Sequence, residues 1–115
     1  MSARAQTILG KAGRAHVPVF AALGDETRLG LVTRLCEHSP QSITQLTDGS
    51  RLTRQAISKH LAVLEHAGIV ESIRVGRECH YEFHLKPIDD MKSYLDEVSR
   101  QWDEALGRLK AFVER

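Results

Sequence analysis

Cysteine is scarce in this chain, which has only Cys36 and Cys79 among its 115 residues. Two cysteines are too few to build a disulfide-stapled scaffold of this size. No apolar run reaches the length that crosses a bilayer, and the N-terminal residues do not form a signal peptide. We therefore expect a reduced, cytoplasmic protein that makes no contact with a membrane.

An excess of charge of one sign is also lacking, because the formal net charge is only +1. Residues 1–86 hold eleven Lys and Arg against eight Asp and Glu, whereas residues 87–115 hold five against seven. The bulk composition thus indicates no particular partner, but the basic charge lies in the first part of the chain. The length is sufficient for one domain with one core.

Catalytic signatures are missing as well. We find no Ser, His and Asp series, no phosphate-cradling glycine loop and no paired-carboxylate pocket. His80 and His84 lie on one predicted strand, four residues or about 13 Å apart, which is too far for both to bind one ion unaided. We expect no enzymatic activity, no cofactor and no bound metal.

The strongest positive signal is an amphipathic helix predicted between residues 52 and 68. Thr53 is suited to cap its N-terminus, and Gly68 lies where a helix ends in the left-handed conformation. Its apolar residues recur at helical spacing and form one stripe: Ile57, Leu61 and Leu64. The opposite side of the helix is therefore free to bind something else.

That opposite side, here termed the polar face, carries hydrogen-bonding and basic groups: Arg54, Gln55, Ser58 and Lys59. No acid occurs between Arg51 and Leu64. Arg can pair with guanine and Gln with adenine, while Ser and Lys suit phosphates or base edges. A solvated surface helix has a similar composition, so the flanking segments must distinguish the two interpretations.

The preceding residues, 42–48, predict a short helix capped by Ser42, with Ile43 and Leu46 on its buried side. Residues 49–51 then supply a tight turn that contains a glycine. A short helix, a turn and a capped helix with a polar face are typical of a helix-turn-helix.

The residues after Gly68 predict a β-hairpin. Apolar residues alternate with polar ones along its second strand: Cys79, Tyr81, Phe83 and Leu85 alternate with Glu78, His80, Glu82 and His84. Residues 75–78 turn this strand back on an earlier one that begins near Ile69. Arg74 and Arg77 lie by the tip, as in the wing that follows a recognition helix.

These segments resemble the arsenic-repressor (ArsR) family of winged-helix transcription regulators, over a match from about Val19 to Leu85. The residues that carry the resemblance are Phe20-Ala21-Ala22-Leu23-Gly24-Asp25-Glu26-Thr27-Arg28, Leu52 to Leu61, Leu64, Ala67-Gly68-Ile69-Val70, Gly76-Arg77 and Tyr81. The tail from Tyr94 to Leu109 resembles a branch of the family that lacks the usual metal ligands. The resemblance implies a homodimeric bacterial regulator that binds DNA, usually as a repressor.

Metal sensing in this family often uses a cysteine pair in the first helix of the helix-turn-helix, or acidic and histidine ligands on the C-terminal helix. Residues 42–46 contain no cysteine, and residues 87–115 contain no histidine. Both of these sensor sites are therefore missing from this sequence.

The N-terminal residues predict a helical arm from about Ala3 to Ala12, with Ile8 and Leu9 on a partner, and a break at Gly13 and Pro18. Pro18 then starts a short helical piece, 19–23. A further helix, capped by Asp25, runs to about His38. Its buried residues are predicted to be Leu31, Val32 and Leu35.

The C-terminal segment predicts one helix that begins near Pro87, with an apolar seam at steps of three and four. The residues of this seam are Ile88, Met91, Leu95, Val98, Trp102, Ala105, Leu109 and Phe112. Pairing with a second copy would cover it and would place two recognition helices about 34–36 Å apart. The alternative is a helix that folds back on its own domain.

The sequence thus predicts an α+β, mainly helical, winged helix-turn-helix with a two-stranded wing and dimerisation helices at both ends. The segments are an arm at 1–16, the DNA-binding part at 17–86 and a dimerisation helix at 87–115. Arg54, Gln55 and Ser58 are predicted to contact bases; Thr53, Lys59 and His60 to contact phosphates; and Arg74 and Arg77 to contact the backbone or minor groove. The predicted dimer interface is Ile8, Leu9, Met91, Leu95, Val98, Trp102, Leu109 and Phe112.

The predicted function is repression at an inverted-repeat operator in double-stranded DNA, which would associate the chain with the nucleoid. One alternative is a protein interaction module, although the polar face lacks apolar anchors. Another is a repressor gated by an unknown ligand, for example in a cavity near Trp102, or by a redox pair of Cys36 and Cys79. Free cysteines more commonly act as small hydrophobic residues.

Overall fold

The structure is a computed structural model that describes the backbone of residues 3–114 and the side chains of residues 10–114. In chain order its elements are α1 (Ala3–Leu23), α2 (Glu26–Glu37), β1 (Gln41–Ser42), α3 (Ile43–Thr47), α4 (Arg54–His66), β2 (Val70–Val75), β3 (Glu78–Phe83) and α5 (Leu85–Val113). A mainly helical chain with a small antiparallel sheet confirms the predicted fold class. Across these described helices, none has the length and apolar character needed to cross a membrane.

The core lies between α2, α3 and α4, and it is built from the predicted apolar stripes. Leu61 and Leu64 of α4 are fully buried, and Leu35 of α2 and Leu46 of α3 are 1% exposed. Burial of each such side chain contributes about 1.5–3 kcal/mol. This packing turns the stripe of α4 inward and leaves its polar face outside.

Side-chain caps fix where the helices begin, as the sequence predicts. The Asp25 carboxylate accepts from the Arg28 amide (3.0 Å), and the Thr53 hydroxyl accepts from the Ala56 amide (3.1 Å). At α3, the Ser42 hydroxyl accepts from the Gln45 amide while the Gln45 side chain accepts from the Ser42 amide, which forms a capping box. The start of the recognition-type helix is therefore set by its own sequence.

Gly68 ends α4 as predicted, with a φ of 79°. Its amide donates to the Glu65 carbonyl (2.9 Å), and the Ile69 amide donates to the Leu64 carbonyl (3.0 Å). These two bonds form a Schellman motif. The chain consequently leaves α4 in the direction that starts the hairpin.

The predicted two-stranded wing is confirmed as the hairpin of β2 and β3, and β1 adds a third strand to the sheet, in the order β1-β3-β2. β1 pairs with β3 through Gln41↔Tyr81 and Ser42↔His80. The sequence did not predict β1, because a strand of two residues is too short to show an alternating pattern and its partner strand lies about 40 residues further on.

The predicted alternation along the second wing strand is only partly correct. Tyr81 and Phe83 pack against the core, but Cys79 is exposed. Leu85 is 62% exposed and is the first residue of α5, two residues before the predicted start at Pro87. Pro87 fits there because the first amides of a helix have no partner within it.

Helix α1 differs from its prediction. The helix continues through Gly13 and Pro18 to Leu23, and its non-helical residue is Gly10 (φ 76°, ψ 167°). Val19 and Ala22 are 7% and 2% exposed, so packing on the core holds the end of α1 helical despite the proline. The side chains of Ile8 and Leu9, predicted to contact a partner, lie outside the described residues.

Helix α5 has two differently packed halves. In the first half, Ile88 and Met91 pack against the core, and the ring of Tyr94 lies 4.9 Å from the ring of His16 on α1. Residues 101–114 are exposed throughout. This second half projects from the domain and gives the molecule a longest dimension of 68 Å.

Candidate nucleic-acid interface

The polar face of α4 is presented to solvent as one surface. Thr53 and all four residues of the face are exposed. Because the buried stripe fixes the rotation of α4 about its axis, these side chains cannot turn inward without emptying the core. A basic, hydrogen-bonding surface is therefore held outward at the N-terminal end of the helix, where major-groove readers place theirs.

The turn before α4 forms a groove of about 440 Å³ beside this face. Its lining is Thr44, Gln45, Thr47, Asp48, Gly49 and Arg54. Gly49 has a φ of 77°, which a glycine adopts without strain and which allows the sharp turn between α3 and α4. The groove places the basic Arg54 next to hydrogen-bonding groups of α3.

The wing presents the two predicted arginines at its tip. Val75 and Glu78 form the last pair of β2 and β3, so Gly76 and Arg77 are the two turn residues. Gly76, the first turn residue, has a φ of 64°. Arg77, the second, does not have a positive φ, since among the described residues only glycines do. A positive φ at the first turn residue alone is typical of a type II′ turn. Arg74 and Arg77 are both exposed.

His60 lies differently from the other predicted contact residues, because its side chain is turned toward α2. Its Nδ1 is 3.4 Å from Nη1 of Arg28 and 3.8 Å from Oδ2 of Asp25, and the side chain is 24% exposed. The hydrogen bond from the Arg28 amide, helped by the charge of the Arg28 guanidinium, lowers the pKa of Asp25. The structure thus joins His60 to a polar network behind the helix.

Arg28 is a positioning residue that sequence reasoning missed. Besides its contact with His60, its Nε donates to the Ala22 carbonyl (2.6 Å) and its Nη2 donates to the Ala21 carbonyl (3.3 Å). One guanidinium therefore ties the end of α1 and the start of α2 to the recognition-type helix. The motif of residues 24–28 carried the family resemblance, but it does not by itself show which residue Arg28 contacts.

Three further hydrogen bonds fix the surroundings of α4. Arg34 of α2 donates to the carbonyls of Leu46 and Gln45 (2.8 Å each), which satisfies the end of α3. Glu65 of α4 accepts from the Ser72 amide of β2 (2.8 Å), which links the helix to the wing. The arginines of α2 thus help to set the helix-turn-helix geometry, although the sequence predicted only its cap and its buried residues.

The two cysteines are both free and exposed. Partial desolvation by the surrounding protein, and then the charge of the neighbouring Glu37, raise the pKa of the Cys36 thiol, which lowers its thiolate fraction at neutral pH. The pKa of Tyr81 is raised to about 12, mainly by burial and to a lesser extent by a hydrogen bond with Cys79. Neither feature is typical of a reactive redox pair.

The predicted dimer residues of α5 form an exposed apolar surface over most of their length. Met91 and Val98 are half-buried, and Met91 packs against the core of its own chain. The exposed members of the predicted seam are Leu95 at 45%, Trp102 at 65%, Leu109 at 58% and Phe112 at 69%. Leu106 and Val113, which were not predicted, add to this surface.

A capped helix with an outward polar face, supported by a short helix and followed by a wing with arginines at its tip, is a winged helix-turn-helix. This fold defines a class of DNA-binding domains.

Comparison with known proteins identifies the family within this class. The sequence model described as "Bacterial regulatory protein, arsR family" matches residues 25–72. The helix-turn-helix transcriptional regulator YuzN of Bacillus subtilis (strain 168) is 40% identical over 80 residues, which cover 64% of this chain and 86% of that one. The arsenical resistance operon repressor of Escherichia coli (strain K12) is 34% identical over 65 residues, or 56% of each chain.

A solved structure, the ArsR-like transcriptional regulator from Rhodococcus sp. RHA1, superimposes with a TM-score of 0.76 at 36% identity. The match covers 86% of this chain and 92% of that one. The chain therefore belongs to the arsR family of bacterial regulatory proteins. It is a transcriptional regulator with a winged helix-turn-helix DNA-binding domain, and it is not an enzyme.

Proposed function

We propose that the chain acts as a homodimeric repressor, which binds an inverted-repeat operator in double-stranded DNA and blocks a promoter. The observation that carries this proposal is the outward polar face of α4, which a buried stripe and three helix caps hold in place. Repression is the activity named for the E. coli relative. We infer the remaining details from the geometry and charge of this chain.

The contacts divide by position. Arg54, Gln55 and Ser58 are exposed on the first turns of α4, and we assign them to base edges in the major groove. Thr53 and Lys59 flank them and are assigned to phosphates. His60, whose ring is turned toward Arg28, is assigned to the support of the helix instead. The exposed Arg74 and Arg77 are assigned to the backbone or minor groove beside the wing.

The dimer is assigned to α5. Its projecting half exposes four large apolar side chains, those of Trp102, Leu106, Leu109 and Phe112, and exposed apolar patches often mark interaction sites. The seam residues of this half, Trp102, Ala105, Leu109 and Phe112, recur at heptad spacing, and a second copy of the same helix matches this spacing. A C2 axis along this interface would relate two recognition helices, which accounts for an inverted-repeat target.

A shallow groove of about 240 Å³ lies on this same surface, lined by Gln101, Trp102 and Ala105. A partner helix would fill it, because Trp102 and Ala105 belong to the heptad seam. We therefore assign the groove to the dimer interface and not to an effector.

Sedimentation equilibrium and gel-shift titration of Leu109→Glu test the proposal together. This variant places a charge in the seam, so we expect a monomer that has lost most of its operator affinity. Ala111→Glu is the matched control, because it introduces the same single negative charge at an exposed, neutral position off the seam. If both variants sediment and bind as the unaltered chain does, the assignment of α5 to dimerisation is wrong.

A further inference from the structure

Three side chains with metal-binding atoms converge on the outer face of the sheet. Glu71 of β2 and Glu82 of β3 are direct partners in the strand register. His84 follows Glu82 by two residues in extended backbone and so lies on the same face of the sheet. One ligand atom from each of the three lies within 4.8 Å of the others, and Nε2 of His84 is 3.0 Å from Oε2 of Glu71.

This face points away from the core, because Tyr81 and Phe83, the residues on either side of Glu82, pack inward. Like charges directly opposite each other on a sheet are destabilising. One divalent cation between the two carboxylates would offset this repulsion, and the imidazole nitrogen supplies a third ligand atom.

The side chain of His84 does not serve as a cap for α5. It precedes the first residue of α5, at the position whose side chain often caps a helix, but its side chain makes no capping hydrogen bond. The imidazole is turned toward Glu71 instead. An ion held by all three residues would tie β2 and β3 to the start of α5.

We propose that Glu71, Glu82 and His84 bind one divalent transition-metal ion, with Zn²⁺ as the best match. Zn²⁺ accepts nitrogen and oxygen ligands at about 2.0–2.2 Å and commonly keeps a fourth position for water. Two ligand atoms bound to one Zn²⁺ at a tetrahedral angle lie about 3.3 Å apart, so the three ligand atoms must move closer together to bind the ion. All three side chains are at least partly exposed and can rotate to do so.

Sequence reasoning considered His80 and His84 as a pair and rejected it on distance. His80 is in fact engaged elsewhere, with Nε2 3.0 Å from Oε2 of Glu78. The partners of His84 come from its own strand and from across the hairpin, and the register that aligns Glu71 with Glu82 is visible only in the fold. The site lies outside residues 42–46 and 87–115, and it does not depend on the proposed operator.

Cobalt titration of the metal-free full-length chain tests the site, because four-coordinate Co²⁺ absorbs in the visible. We expect one ion per chain, displaced by Zn²⁺, and at least tenfold weaker binding in His84→Gln and in Glu82→Gln. Glu78→Gln is the matched control, since it removes a carboxylate from the same face and should leave the affinity unchanged. Circular dichroism establishes that each variant is folded.

Three results of the titrations would overturn the site. These are the absence of saturable binding by the unaltered chain at 100-fold excess of Co²⁺, equal affinity in His84→Gln, and equal losses in Glu78→Gln and Glu82→Gln. Charge-transfer bands in the near ultraviolet would also overturn it, because they would place the ion on Cys36 or Cys79. Paramagnetic broadening of the amide resonances of Glu71, Glu82 and His84 provides an independent check of location.

Discussion

Nη1 of Arg28 lies 3.4 Å from Nδ1 of His60, so one arginine of α2 supports the recognition helix from behind. Arginine can only donate, and the imidazole nitrogen therefore accepts in this contact. The same guanidinium donates to the carbonyls of Ala21 and Ala22. The orientation of the polar face thus depends on a residue that we do not place against DNA.

Arg28→Ala should destabilise the chain by about 1–3 kcal/mol, since it leaves several hydrogen-bonding groups without their charged partner. Operator affinity should fall without a change in its salt dependence, because no phosphate contact is removed. Urea unfolding and gel shifts at two salt concentrations measure both effects. Lys86→Ala, which removes an exposed ion pair with Asp90, serves as the control and should change neither.

The stability of the chain should fall in acid partly through Asp25. Its pKa is lowered in the folded state, so its carboxylate stabilises the fold above the unfolded value of 3.8. This contribution is lost as the pH falls through the lowered folded pKa. Asn can still cap the helix but carries no charge.

The advantage of the unaltered chain over Asp25→Asn should accordingly be present at pH 6 and shrink below about pH 4. The free energy of unfolding, measured across this range for both proteins, checks the prediction. A difference that is constant with pH would show that the charge of Asp25 contributes nothing.

Thr53→Ala should cost about 0.5–2 kcal/mol of stability, because the Ala56 amide loses the hydroxyl that accepts its hydrogen bond. Thr53→Ser retains this acceptor and should lie close to the unaltered chain. Thermal unfolding of the pair measures the cap. If the two variants unfold at the same temperature, the hydroxyl does not hold the start of α4.

Arg54→Ala should cost about 1–3 kcal/mol of binding at one operator position and relax the preference there. Lys59→Ala should instead weaken all sequences alike and reduce the salt slope by about one. Titration of both variants on operator and scrambled DNA at two salt concentrations separates the two roles. Equal losses on both DNAs for Arg54→Ala would contradict its assignment to a base.

Local signals in the sequence were sufficient to predict the helix-turn-helix. Ser42, Thr53 and Gly68 act on residues within a few positions, so their capping roles could be read directly and are confirmed. The buried residues of α2 and α4 follow from helical periodicity alone. The polar face was therefore predictable as a surface, although its contacts with DNA stay predictions.

The features that were missed depend on residues distant in the chain. The contact of Arg28 with His60 spans 32 positions, and β1 pairs with a strand about 40 residues later. The break in α1 was placed at Gly13 and Pro18, whereas packing of Val19 and Ala22 keeps that segment helical and the break falls at Gly10. Periodicity and capping rules contain no information on such packing.

Selection of bound fragments from random double-stranded DNA, followed by sequencing, tests the central claim most directly. A dimer that presents two copies of the polar face should enrich an inverted repeat whose half-site centres lie about 10–10.5 base pairs apart. A chain that stays monomeric and enriches no sequence, even at low ionic strength, would contradict the proposal.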